Sequence, residues 1–268
     1  MNSVLKYPGS KWNIADWIIG QMPAHHSYVE PYCGSCAVFL RKQSSSIETL
    51  NDLDSEVVNL FQCIRENPDR LAAMVAATPY SRSEYSAALT NDGSDNYERA
   101  RQFLVRCWQG YGYRTNEHKV GWKSDVQGRE AAYAMRNWYR LPVWIMNIVD
   151  RLREAQLECR PAVEVIKRFN YANVLIYADP PYLLSTRTAQ QKQYAHEMSD
   201  ADHEELLMTL LQHKGTVLLS GYDSDLYNDL LKGWHKAQIS TTAEQGLPRT
   251  ETLWMNFSSQ LSLFDSAS

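Results

Sequence analysis

Apolar and polar positions along this chain follow two different rhythms. Residues 27–32 (Ser-Tyr-Val-Glu-Pro-Tyr) and 47–52 (Ile-Glu-Thr-Leu-Asn-Asp) read as short strands. Apolar residues at helical spacing follow each of them, over 36–43 and 55–65. This alternation predicts parallel strands joined by helical crossovers. From about 66 to 160 the pattern predicts helices only. Ser81-x-x-Glu84 has the form of a capping box, and 96–108 is strongly amphipathic. Two more helices are predicted over 129–139 and 143–156, with an irregular aromatic and basic loop over 110–123. The first rhythm then resumes, with buried strands at 173–178 and 215–220, a helix at 200–213 and a last strand at 252–257. The simplest architecture is one α/β sheet built from 1–55 and 161–258, a helical insertion over 56–160, and a flexible tail, 259–268.

A chain of 268 residues has room for one large α/β domain with such an insertion. The 44% hydrophobic content is that of an ordinary globular protein. No apolar run approaches a membrane span, and the first residues lack a signal-peptide core, so no membrane partner and a cytoplasmic location are expected. Five scattered cysteines do not form a disulfide framework, and reduced thiols fit that location. The net charge of −4 alone argues against a protein that coats nucleic acid. Residues 99–140, however, carry nine Lys/Arg against three Asp/Glu, which makes one internal segment basic enough to face phosphate.

Candidate chemistry clusters at predicted strand ends. Asp179-Pro180-Pro181-Tyr182 directly follows the strand at 173–178, where open α/β sheets place ligands. Two prolines remove two backbone donors and stiffen the turn, fixing the flanking side chains and exposing carbonyls. A rigid surface corner would use the same prolines. An acid and an aromatic added to them suit an exocyclic amino group on a nucleobase, a poor nucleophile because its lone pair is delocalised into the ring. The Asp179 carboxylate and the Pro180 carbonyl can each accept one N–H, and Tyr182 can stack on a base that has left the helix. A second candidate is the small-residue turn at 30–39, where a ligand can approach the backbone. Its Cys33-Gly34-Ser35-Cys36 is equally a C-x-x-C at a helix start, as in thioredoxin-like redox proteins. On that segment alone the two readings are comparable. Asp52 and Asp54 end the next strand, where an acid meets ribose hydroxyls or caps the following helix.

Together these segments resemble the Dam-like adenine-specific DNA methyltransferases, including their phage-borne relatives. The order matches: Lys6-Tyr-Pro-Gly-Ser-Lys11, the turn at 30–39, the acids at 51–54, a helical insertion, then 179–182. The likeness extends to 219–223 and 249–257, so it covers nearly the whole ordered chain. It implies a Rossmann-like fold that binds S-adenosyl-L-methionine (SAM) and methylates the 6-amino group of a flipped adenine. Tyr7, Lys11, Asp52 and Asp179 would contact SAM, Glu30, Gly34 and Phe39 would shape its pocket, and the insertion would recognise the target. One departure is Cys36, where the family turn commonly has a second glycine. The C-x-x-C is then coincidental, since a thioredoxin-like protein would not explain the rest of the chain. An RNA or protein methyltransferase, or a catalytically silent DNA-binding module, are the competing readings.

Transfer from a sulfonium donor needs positioning rather than a metal, so no metal is expected. Double-stranded DNA is the expected partner of a monomer. Arg114, Asn116, Lys119 and Lys123 are candidates for reading or holding it, with Arg187 and Arg249 near the flipped base. The tail segment Gln260-Leu261-Ser262-Leu263-Phe264 resembles the short peptide by which bacterial proteins dock on the replication sliding clamp.

Overall fold

The computed structural model describes residues 2–90, 95–112, 115–116, 120–124, 131–187, 192–242 and 248–258. Seven strands form one sheet: β1 (Ser27–Glu30), β2 (Ile47–Asn51), β3 (Gln156–Glu158), β4 (Val174–Ala178), β5 (Thr216–Gly221), β6 (His235–Thr242) and β7 (Pro248–Met255). Their order is β3-β2-β1-β4-β5-β7-β6, parallel except where β7 runs antiparallel to both of its neighbours. This is the α/β sheet that the alternating rhythm predicted and the Rossmann-like fold that the resemblance implied.

Side chains alternate between its faces along each strand. Tyr28, Leu50, Leu175, Tyr177, Leu218, Leu253 and Met255 enter one buried cluster. Val29, Val174, Ile176, Ala178, Val217, Leu219 and Trp254 enter the other. Helices α1 (Ala15–Gly20), α2 (Ala37–Arg41) and α3 (Ser55–Glu66) cover the first face. The same cluster runs on into α4 (Pro68–Ala77), α5 (Arg82–Ala88), α6 (Asn96–Gln109), α7 (Ala131–Asn147) and α8 (Val149–Arg153). The helices between β2 and β3 therefore share their core with the sheet, and Trp108 of α6 donates its indole N–H to the Val4 carbonyl at 2.8 Å. Leu60 and Leu104 are fully buried there, each contributing roughly 1.5–3 kcal/mol. Helices α9 (Ala162–Arg168), α10 (Asp200–Leu211) and α11 (Asp225–Leu230) cover the second face.

Four details depart from the sequence reading. The region 66–160 is not purely helical, because β3 adds an edge strand to β2. The helices predicted at 129–139 and 143–156 are replaced by α7, which runs through Pro142, and by the short α8. Residues 129 and 130 lie outside the described residues. Pro142 removes one helical hydrogen bond, yet Trp138, Leu141 and Ile145 keep one buried face on either side of it, and that packing holds the helix together. The last strand starts at Pro248 and ends at Met255 because it pairs along all of β6, while Asn256 turns back to bond Val217 and Gly215. Ser81 does cap α5 by accepting from Glu84 N–H, but its own N–H donates to Gln109 while Glu84 pairs with Arg101. The full reciprocal box forms instead at Ser199 and Asp202 of α10.

Candidate active site

The chain leaves β1 toward β2 on one side, and β4 lies against β1 on the other. The crevice outside the carboxyl ends of β1 and β4 is where such sheets bind ligands. A cavity of about 800 Å³ opens there, within the range of cofactor pockets. Tyr7 and Lys11 border it from the N-terminal segment, Glu30 and Gly34 from the end of β1, Asp52 from beyond β2, and Asp179 from beyond β4.

Asp179 is the most constrained group. Its Oδ2 lies 3.0 Å from the Lys11 ammonium, with side chains 16% and 5% exposed. Lys11 also donates to the Gly9 carbonyl at 2.6 Å and sits 4.8 Å from the Tyr182 ring. Asp179 Oδ1 is buried and has no hydrogen-bond partner among the described residues. Burial pushes the Asp179 carboxyl up to about 6, with Lys11 opposing the rise and Glu251 adding to it. Burial works against the Lys11 charge, but Asp179, backed by Glu251, outweighs it and holds the ammonium above lysine's usual value.

Glu30 and Asp52 face the same space. Burial, with Asp179 nearby, pushes Glu30 up to about 8, and its Oε2 lacks a partner among the described residues. Asp52 rises to about 7 for the same first reason, although Gly34 N–H donates to its Oδ2 at 2.8 Å and Asp54 N–H to its Oδ1 at 2.9 Å. Asp54 caps α3 through Glu56 N–H. Asn51, which the sequence reading gave no separate role, joins two strand ends: its amide donates to the Pro31 and Arg160 carbonyls and accepts from Arg160 N–H.

The turn between β1 and α2 explains its small residues. Gly34 has φ 44°, and a Cβ there would meet the Tyr7 ring at 2.9 Å. Cys36 has φ 54°, the left-handed conformation that favours glycine, at a cost of roughly 1–2 kcal/mol for another residue. The family's second glycine therefore has its conformational counterpart here, occupied by a buried cysteine. Cys33 and Cys36 are both buried free thiols. Their surroundings hold both well protonated: the contact with Cys36 and burial raise Cys33, and burial raises Cys36. A redox dithiol needs an accessible thiolate, so the geometry goes against that reading.

The model of the D12 class N6 adenine-specific DNA methyltransferases matches residues 7–245. The chain belongs to this family. It is 26% identical over 245 residues to a DNA adenine methylase of Serratia marcescens, covering 84% of this chain and 85% of that protein. A DNA adenine methylase of Escherichia coli K12 is 24% identical over 241 residues, covering 83% and 81%. One from Salmonella typhi is 23% identical over 236 residues, with the same coverage. The enzyme is thus an adenine-specific DNA methyltransferase.

Other predicted site residues lie around this centre in different ways. Pro181 borders the cavity, while Pro180 is buried in the turn behind it. Tyr182 is buried, donates its hydroxyl to Glu251 Oε2 at 2.6 Å and packs edge-on against Tyr222 at 4.6 Å. Phe39 is fully buried beneath the Arg151 guanidinium, 3.7 Å from the ring centre, and does not border the cavity. Arg249 is exposed and donates to the Tyr222 hydroxyl at 2.9 Å. Arg187 is nearly buried against Glu197, 2.8 Å away, rather than open to solvent. Asn116 donates to the Lys192 carbonyl, and Lys123 is half-exposed beside the Gly110–Trp122 bridge. Arg114, Lys119 and the tail residues Gln260, Leu261, Leu263 and Phe264 lie outside the described residues. Of the basic segment, Arg99 and Arg106 pair with Glu56, and Arg101 pairs with Glu84 and Glu98. Those three charges brace helices.

The sequence reading missed Tyr194. It borders the cavity beside Tyr7, with ring centres 6.0 Å apart. A Cβ on Gly9 would lie 2.5 Å from its hydroxyl oxygen. Its only sequence signal was an isolated aromatic residue in a polar stretch.

Proposed function

We propose that the cavity binds SAM and that the chain methylates the 6-amino group of an adenine swung out of duplex DNA beside Asp179. The carrying observation is the divided Asp179 carboxylate, with Oδ2 on Lys11 and Oδ1 buried without a partner among the described residues. The lining fits a cationic cofactor bearing hydroxyls, since the Tyr7 and Tyr194 rings and the Glu30, Asp52 and Asp179 carboxyls are among the groups that border the space, and Glu30 Oε2 has no hydrogen-bond partner among the described residues. SAM, when bound, supplies a methyl group on a positively charged sulfur. Tyr7, Lys11, Glu30, Gly34 and Asp52 hold and orient it, with Phe39 supporting the pocket from behind.

Asp179 Oδ1 accepts one N–H of the adenine amino group, and the Pro180 carbonyl accepts the other. Both bonds raise electron density on the nitrogen. The proton lost on methylation passes to Asp179 Oδ1. Pro181 keeps the loop stiff. Swinging the base out costs a few kcal/mol, and stacking on Tyr182, which packs against Tyr222 outside the cavity lining, returns roughly 1–3 kcal/mol.

The insertion over 56–160 serves target recognition. Arg114, Asn116, Lys119 and Lys123 lie on it, and Arg249 stands beside the aromatic pair. The enzyme acts as a monomer in the cytoplasm, and the segment at 260–264 docks on the sliding clamp. A direct titration of a peptide spanning 258–268 against purified clamp tests the docking, and absence of binding removes it. For the central reaction, methyl-labelled SAM is incubated with unmethylated duplex DNA or tRNA. Label in N6-methyladenine of the duplex supports the reading. Label in RNA alone, or in methylcytosine, overturns it.

A further inference from the structure

Residues 192–198 cross the rim of the cavity as a strap, and two anchors hold them. One anchor is Glu197, whose Oε1 accepts from Gln193 N–H at 2.6 Å, Tyr194 N–H at 3.0 Å and Arg187 Nη1 at 2.9 Å. The Arg187 guanidinium also lies 5.1 Å from the Tyr194 ring centre. This anchor is local in sequence. The other comes from the helical insertion, far away along the chain. Thr115 N–H donates to the Gln193 carbonyl at 2.9 Å, and Thr115 Oγ1 accepts from Ala195 N–H at 3.0 Å. Asn116 Nδ2 donates to the Lys192 carbonyl at 2.8 Å. Thr115 thus brackets Tyr194 from both sides, bonding the residue before it and the residue after it.

Tyr194 borders the cavity and meets the opposite wall. It faces Tyr7, comes within contact of Gly9, and feels the charges of Lys11 and Asp179. An insertion that only read DNA would not need to hydrogen-bond the rim of the transfer site. We infer that Thr115 is a positioning residue of the methyl-transfer site, fixing Tyr194 against the cofactor cavity through Gln193 and Ala195. The inference rests on the proposed reading of the cavity as the SAM pocket. Asn116 assists by holding Lys192. Thr115 acts through Tyr194 and through the bond of its side chain with Tyr7, so its loss changes cofactor use before it changes duplex binding.

The test compares Thr115→Val, which keeps the shape and removes the acceptor, with Thr115→Ser, which keeps the hydroxyl. Steady-state methylation of unmethylated bacterial DNA gives KM for SAM and kcat, and filter binding gives duplex affinity. One lost hydrogen bond predicts about a five- to tenfold rise in the KM for SAM of Thr115→Val. Thr115→Ser is expected to stay within about twofold of the parent, and duplex affinity is expected to change less than about twofold in both. Asn116→Ala, a separate probe of the same anchor, is expected to raise the KM for SAM about two- to threefold. An unchanged KM in Thr115→Val, equal impairment of the Val and Ser variants, or a loss confined to duplex affinity each overturns the inference. If the parent protein itself transfers no methyl group to duplex adenine, the proposed function fails instead, and the two failures are distinguishable.

Discussion

Two walls of the cavity are built on different principles. The wall at the ends of β1, β2 and β4 is made of residues that leave neighbouring strands at fixed register, so Glu30, Asp52 and Asp179 arrive in place as a consequence of strand pairing. The opposite rim is made of loops. Thr115 and Asn116 from the insertion meet 192–195 through hydrogen bonds between residues about eighty positions apart. The first wall carries buried, strained and charge-perturbed groups. The second is held by exposed hydrogen bonds from Thr115 and Asn116 together with one nearly buried ion pair, Arg187–Glu197. On the proposed reading, the reacting groups sit on the wall fixed by strand pairing, and the rim is tied to it by bonds between distant loops.

The sharpest way to break this contrast is at the rigid wall. Asp179→Ala is expected to lower single-turnover transfer on the order of 10³-fold, while SAM affinity, shared among several other residues, falls much less. Transfer at the parent rate would show that the rim does the chemistry. A smaller loss is expected for Tyr182→Phe, which leaves the nearly buried Glu251 carboxylate without its 2.6 Å donor. An unsatisfied buried acceptor of this kind costs about 1–3 kcal/mol, read from denaturant unfolding.

The three raised carboxyls supply a pH test of the same wall. Burial raises Asp179 to about 6, Asp52 to about 7 and Glu30 to about 8, all above their unfolded values. The folded form therefore holds these protons more tightly, and the stability they contribute is lost as pH rises through that window. The cofactor-free protein is expected to have a higher Tm at about pH 6 than at about pH 9. The reverse trend would mean that these carboxyls are solvated.

The smallest effect is expected from Cys36→Gly. It relieves roughly 1–2 kcal/mol of left-handed strain but adds chain entropy to the unfolded state and removes a buried side chain. Stability is expected to change by less than about 1 kcal/mol with methylation intact. Loss of methylation would restore a role for the thiol.

The same contrast explains what could be read from the sequence. Strands β1, β2, β4 and β5 carry short β-prone or apolar runs, and each site residue of the rigid wall sits at the end of one, so a local pattern located both. Strand β3 has three residues, and its identity comes from pairing with β2 rather than from its own composition. Strand β6 is polar at most positions, with only Ala237 and Ile239 packed on the core, which is too weak an alternation to stand out. Lys42, Glu48 and Arg151 form a buried ion cluster joining β2 to α8. Arg151 lies more than a hundred residues from the other two, so nothing local announces it. Arg187 read as a DNA-holding cation near the flipped base because nothing local marks Glu197, in the strap, as its partner, and Tyr194 stayed hidden in the same stretch.

The central claim is that Asp179 works as an ionised carboxylate held by Lys11. The most direct measurement is the pH dependence of kcat/KM for methyl transfer in the parent enzyme and in Lys11→Met. The parent is expected to lose activity as pH falls through about 6, where Asp179 takes up a proton. Removing the ammonium 3.0 Å from Oδ2 takes away the largest effect opposing burial, so the acid limb of Lys11→Met is expected to move to higher pH. An acid limb at the same pH in both proteins would contradict the claim.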